Sequence, residues 1–100
     1  MKIIVAVEHY ISPEAVEGFK AVFAEHHKMV SQFSGFGGLK RGVSGEKSER
    51  HHIFMEFSSE EELMRWRQSS EHQQIAKAYA AVWMKAPTVH LVKIEEEKSI

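Results

Sequence analysis

Seven histidines and no cysteine set the chemistry open to this 100-residue chain. Without a thiol there is no disulfide scaffold, no thiolate nucleophile and no thiolate metal site. Imidazole, with an unperturbed pKa of about 6.5, is then the side chain able to take or give a proton near neutral pH. Two histidines stand where such chemistry could operate. His26 falls inside an apolar stripe, four residues after Val22 and four before Val30, so it points toward a sheet or a pocket beneath a helix. It is there either a buried, hydrogen-bonded histidine or a pocket base or donor. His72 follows Ser69-Ser70-Glu71, where a helical pattern breaks, and either borders a cavity or faces water. Trp66 and Tyr79 share the inward side of the same helical stretch, as core aromatics or as pocket walls. His27 lies on the flank of its helix and is expected to be exposed.

The other histidines form a looser set. His9, His51, His52 and His90 come to one edge of a sheet once the strands are placed. Grouped imidazoles are a possible metal site. No His-x-His or His-x-x-x-His pair gives coordinating spacing, however, so polar residues at strand ends are the favoured reading and no metal is expected. Gly35, Gly37 and Gly38 follow a helix rather than open one, the wrong context for a phosphate cradle. No cofactor is expected.

Elements must hold these residues. Ile3 to Val7 reads as a strand. Ser12-Pro13-Glu14 reads as a helix start. Val16, Phe19, Val22, Phe23, Met29, Val30 and Phe33 then recur at three- and four-residue steps, predicting one helix of about six turns. Phe36 to Ser44 and Glu49 to Phe57 read as strands joined by a turn at Gly45-Glu46-Lys47-Ser48. Ser58 with Glu61 and Ser59 with Glu62 are overlapping capping boxes. They open a helix whose inward residues include Leu63, Trp66, Ile75, Tyr79, Val82 and Trp83. A break is expected near residue 70, with Ser70 and Gln73 capping the second segment. Pro87 is expected to end the helix, and Thr88 to Ile94 is the last strand.

The order β-α-β-β-α-β is ferredoxin-like, an α+β fold with strands in the order 4-1-3-2 and both helices on one face. One domain spans residues 1–100, because two cores this small would not hold together. Thirteen basic against fourteen acidic side chains argue against a nucleic-acid partner. The longest early apolar run, Ile3 to Val7, is too short for a signal peptide or membrane span, so a cytoplasmic location is expected. Strand one is apolar on both faces, with Ile4 and Ala6 opposing Ile3, Val5 and Val7. Strand three repeats this with Phe54 against Ile53, Met55 and Phe57. Helices bury one face only, so a homodimer through the sheet faces is expected, the alternative being a cover of loops or tail.

Over about residues 2 to 95 the chain resembles the antibiotic biosynthesis monooxygenase family of dimeric α+β barrels. The resemblance is carried by Phe33-Ser34-Gly35-Phe36-Gly37-Gly38, similar to the family's P-G-F turn, and by Phe57-Ser58-Ser59-Glu60-Glu61-Glu62-Leu63-Met64-Arg65-Trp66. Trp66-Arg67-Gln68-Ser69-Ser70-Glu71-His72 completes it, with Ser70 where many members have proline. The resemblance implies a cofactor-independent monooxygenase or oxidase of a small aromatic quinol- or polyketide-like substrate. Phe23, Phe54, Trp66 and Tyr79 would form its apolar slot, with His26 or His72 as base. The alternative is a non-catalytic barrel binding a small ligand or haem, and a third reading is a proton-transfer enzyme such as an isomerase. Haem-degrading members carry an asparagine late in strand one and an axial histidine nine or ten residues past the tryptophan. The matching residues here, Val7, Ile75 and Ala76, cannot hydrogen-bond or ligate iron through their side chains, and His72 comes too early.

Overall fold

The computed structural model describes residues 1–45 and 49–99. Four strands, β1 (Ile3–Tyr10), β2 (Phe36–Val43), β3 (Arg50–Phe57) and β4 (Lys85–Lys93), alternate with α1 (Val16–Val30), α2 (Glu60–Arg67) and α3 (Ser70–Ala80). The sheet runs β2-β3-β1-β4 with every neighbour antiparallel, the ferredoxin-like order read from the sequence. Residues 46–48 of the expected hairpin turn lie outside the described residues. Among the described residues no helix is long and apolar enough to cross a membrane.

Strand alternation decides what faces the helices. Ile3, Val5 and His9 are buried on that side of β1, and Ile53, Met55 and Phe57 on that side of β3. Phe19 and Val30 of α1, Leu63 and Trp66 of α2, and Ile75 and Tyr79 of α3 close the core over them. On the opposite face Phe54 and Val92 remain 42% and 47% exposed beside Ile4 and Ala6.

Three helix boundaries differ from expectation. Pro13–Ala15 is a 3-10 turn rather than the first turn of α1, closed by the Ala15 N–H on the Ser12 carbonyl at 3.0 Å. Proline lacks an N–H and suits such a tight start. α1 stops at Val30, and Phe33 follows in a turn whose N–H reaches the Val30 carbonyl at 3.0 Å. α3 stops at Ala80, so Val82 and Trp83 lie beyond it. Pro87 ends no helix; it sits within β4, an edge strand, where the register with β1 shifts between Glu8 and Tyr10. An edge position with an irregular ladder tolerates the missing donor.

The start of α2 is tied to the turn after α1. Ser59 caps α2 by accepting the Glu62 N–H at 3.2 Å. The Glu62 carboxylate takes hydroxyl bonds from Ser59 at 3.0 Å, Ser34 at 2.8 Å and Ser58. Those three hydroxyls, Ser58 first, hold Glu62 below its usual pKa. The expected Ser58–Glu61 box does not form, because Glu61 pairs instead with Arg65 at 2.9 Å. Gly35 sits at φ 86° against that carboxylate, which a Cβ would strike; both the left-handed backbone and the close approach require glycine.

Candidate functional site

Between the helices and the sheet lies a cavity of about 270 Å³, with Val5, Val7, Ile53 and Met55 as its floor. His26, Trp66, His72 and Tyr79 form its walls, and the exposed Arg67, Ala76 and Val89 stand where it opens to solvent. Its size is near the lower end of small-molecule sites, roughly 300–1,000 Å³.

The break between α2 and α3 builds one wall. Ser69 is extended, at φ −78° and ψ 157°. Its hydroxyl donates to the Trp66 carbonyl at 2.6 Å while its oxygen accepts the His72 N–H at 3.0 Å. One side chain thus joins the end of α2 to the start of α3. This is why Ser69, not the expected Ser70, is the cap: it alone reaches both helices. Trp66 is consequently fixed against His72, whose ring meets it edge-on at 5.5 Å.

α1 supplies the facing group. His26, 6% exposed, stacks on Trp66 with rings 5.6 Å apart and 12° from parallel. Its Nδ1 lies 2.8 Å from the Tyr79 hydroxyl, so Nε2 is the ring nitrogen left for a ligand. Burial, then the nearby His72, His9 and His27, push its pKa down to about 4. Burial raises that of Tyr79. Both are therefore neutral at pH 7, and the pair forms a neutral hydrogen bond in an apolar chamber. Burial also lowers His72, aided by the Arg67 charge and opposed by the Arg67 backbone.

His26, His72, Trp66 and Tyr79 therefore converge on one cavity. Phe23 and Phe54 do not join them. Phe54 points to the open face of the sheet, stacked near His52 at 6.2 Å, because it alternates with the inward Ile53 and Met55. Phe23 lies on the flank of α1 beneath the Arg41 guanidinium, 5.9 Å away.

A residue that sequence reasoning left out of the pocket is His9. It lines the cavity, 4.9 Å from the Tyr79 ring and 5.3 Å from Phe19. The Trp83 indole N–H donates to its Nδ1 at 3.0 Å. Indole only donates, so His9 Nδ1 is bare and Nε2 carries the hydrogen. The signal was its parity with Ile3, Val5 and Val7. The same parity divides the other histidines: His9 and His51, paired across β1 and β3, face the helices, while His52 faces away, as does His90, which is not at that edge but level with Ala6 in mid-strand because β4 begins at Lys85. Among the described residues, no group of three or more His, Asp or Glu is arranged to hold a metal. Val7, Ile75 and Ala76 all line the cavity, so those three positions give it apolar wall.

Residues 2–78 match the family described as antibiotic biosynthesis monooxygenase. The fold is similar to SnoaB, a cofactor-independent oxygenase from Streptomyces nogalater, at 14% identity and TM-score 0.85, covering 96% of this chain and 95% of that one. It is equally similar to Rv0793 from Mycobacterium tuberculosis, at 14% identity and TM-score 0.85 over 99% and 100% of the two chains. A conserved protein from Methanosarcina mazei Go1 matches at 16% identity and TM-score 0.86 over 93% and 92%. No curated protein matches the chain.

Proposed function

The chain belongs to the antibiotic biosynthesis monooxygenase family, and from that premise we propose that it is a cofactor-independent oxygenase of a small, flat, quinol- or polyketide-like aromatic. The observation that carries this reading is the His26–Tyr79 hydrogen bond at 2.8 Å inside the apolar cavity under Trp66. An electron-rich phenol or anthrone, once deprotonated, can itself pass an electron to dioxygen. The protein's tasks are then few: to hold the ring, exclude water and take the proton.

Neutral His26 accepts that proton at Nε2, and the Tyr79 hydroxyl steadies the resulting imidazolium by accepting from Nδ1. The His9 Nε2–H offers a donor to the oxyanion that forms. With an anthrone the balance is closed: one oxygen atom becomes a ring carbonyl and the other leaves as water. The substrate gives up two hydrogens and supplies all four electrons. SnoaB, described as a cofactor-independent oxygenase, supports the same reaction class.

Aerobic incubation with an anthrone should consume one dioxygen per molecule, well above the uncatalysed rate. Uptake at the uncatalysed rate with anthrones and quinols alike would sink the oxygenase, and ligand binding without uptake would leave a carrier or sensor.

The working unit in this reading is a homodimer joined through the open sheet face, where Phe54 and Val92 are exposed beside Ile4 and Ala6. An apolar face of this kind favours pairing with its own copy. Light scattering should give twice the 11.5 kDa chain mass, falling toward one chain in Phe54→Glu. A monomeric parent protein is the contrary result.

A further inference from the structure

Among the described residues that line the cavity, one side chain is charged. Of its lining side chains, Arg67 alone carries a full charge at neutral pH, and no carboxylate lines the chamber. Its neighbour Arg65 is neutralised by Glu61 at 2.9 Å, whereas no carboxylate pairs with Arg67 among the described residues. Arg67 lines the chamber together with His72 and stands exposed at its mouth. A second source of positive potential lies beside it. α3 begins at Ser70, directly after the Ser69 cap, and its eleven residues give it a positive N-terminal dipole end near the same rim. Glu71, the acidic residue of that first turn, is exposed and does not line the cavity.

An apolar chamber with a lone cation at its mouth selects a ligand with an apolar body and one anionic end. We propose that Arg67 docks a carboxylate on the substrate, so that the flat ring system enters against Trp66 and Tyr79 with its acidic group held at the rim. The guanidinium fork suits a carboxylate in two-point contact. Docking at the rim also fixes which end of the ring reaches His26. This assignment rests on the cavity being the substrate site, as in the oxygenase reading, and concerns binding rather than reaction.

The test uses two oxidatively stable probes of equal shape, 1-hydroxy-2-naphthoate and the neutral 1-hydroxy-2-naphthamide. Binding is read by quenching of tryptophan fluorescence, since Trp66 and Trp83 both line the cavity. The parent protein should bind the carboxylate about 10-fold more tightly than the amide, a preference that shrinks with added salt. In Arg67→Gln the ratio of the two affinities should fall toward one, while Arg67→Lys should keep part of it. Equal affinities in the parent protein, or an undiminished preference in Arg67→Gln, overturns the assignment. Oxygen uptake separates the two claims. A carboxylate preference without uptake on any quinol supports Arg67 docking and refutes the oxygenase. Uptake without the preference does the reverse.

Discussion

Replacing His26 with alanine should lower turnover of a quinol or anthrone about 10²- to 10⁴-fold, the usual cost of removing a positioned general base. Geometry singles it out over His72. His26 is enclosed, stacked on Trp66 and hydrogen-bonded through Nδ1 to Tyr79. His72 stands at the helix break, half-buried and edge-on to the same indole. The pH profile distinguishes a base from a merely structural residue. A base must be unprotonated to act, so the rate falls as pH drops through its pKa. Burial first, and then the neighbouring histidines, hold His26 at about 4. kcat/KM should therefore stay level through pH 6 and decline only toward pH 4. Tyr79→Phe removes the partner that steadies the imidazolium and should depress kcat more than it raises KM. Unchanged rates in both His26→Ala and His72→Ala would remove the histidine base altogether. An acid limb centred near 6.5 would place the proton transfer on another group.

The fold was legible because its signals are local. Apolar periodicity and serine-rich caps marked the elements, and the order of those elements implies β2-β3-β1-β4. What escaped depends on contacts between distant segments. Ser69 and Ser70 offer the same hydroxyl, and the choice between them turns on reach back to the Trp66 carbonyl. Pro87 reads as a helix stop until β4 is known to be an edge strand with an irregular ladder.

The site was legible only in part. His26 was marked by its place in the α1 stripe, and His72 and Trp66 by the helix break between them. Their convergence needed the tertiary structure. Phe54 was grouped with the slot by its aromatic character, although strand alternation with Ile53 and Met55 already put it on the other face. His9 was the converse case: parity with Val5 and Val7 aimed it inward, but its polarity suggested a strand end. The hydrogen on its Nε2 could not be read at all, since it depends on Trp83, 74 residues away in sequence.

The same burial that makes His9 and His26 useful should make the protein fragile in mild acid. His9 is pushed down to about 4 by burial and then by the neighbouring His51, and His26 lies at about 4 as well. Protonating His9 would put a hydrogen on Nδ1, which already accepts the Trp83 indole N–H at 3.0 Å. The imidazolium thus loses a bond as well as facing desolvation. In the unfolded chain both rings take up a proton near 6.5, so between about pH 6.5 and 4 the unfolded state binds more protons than the native one. Stability should accordingly be complete above 6.5, fall as pH drops toward 4, and level off below that. The loss is roughly 3 kcal/mol from each ring, both being buried in the fold. Set against a total of about 5–15 kcal/mol for a domain, this is enough to bring the protein close to unfolding near pH 4. The Glu62 carboxylate, held below the usual glutamate range by three serine hydroxyls, gives up its contribution only at lower pH, so the windows do not coincide. Urea midpoints measured at pH 7.5, 6, 5 and 4.5 should fall steadily, and His9→Asn and His26→Gln should each flatten the slope. A midpoint that holds constant from pH 7 to 5 would mean that the two rings take up a proton as readily in the folded protein as in the unfolded one, which would overturn their lowered pKa values.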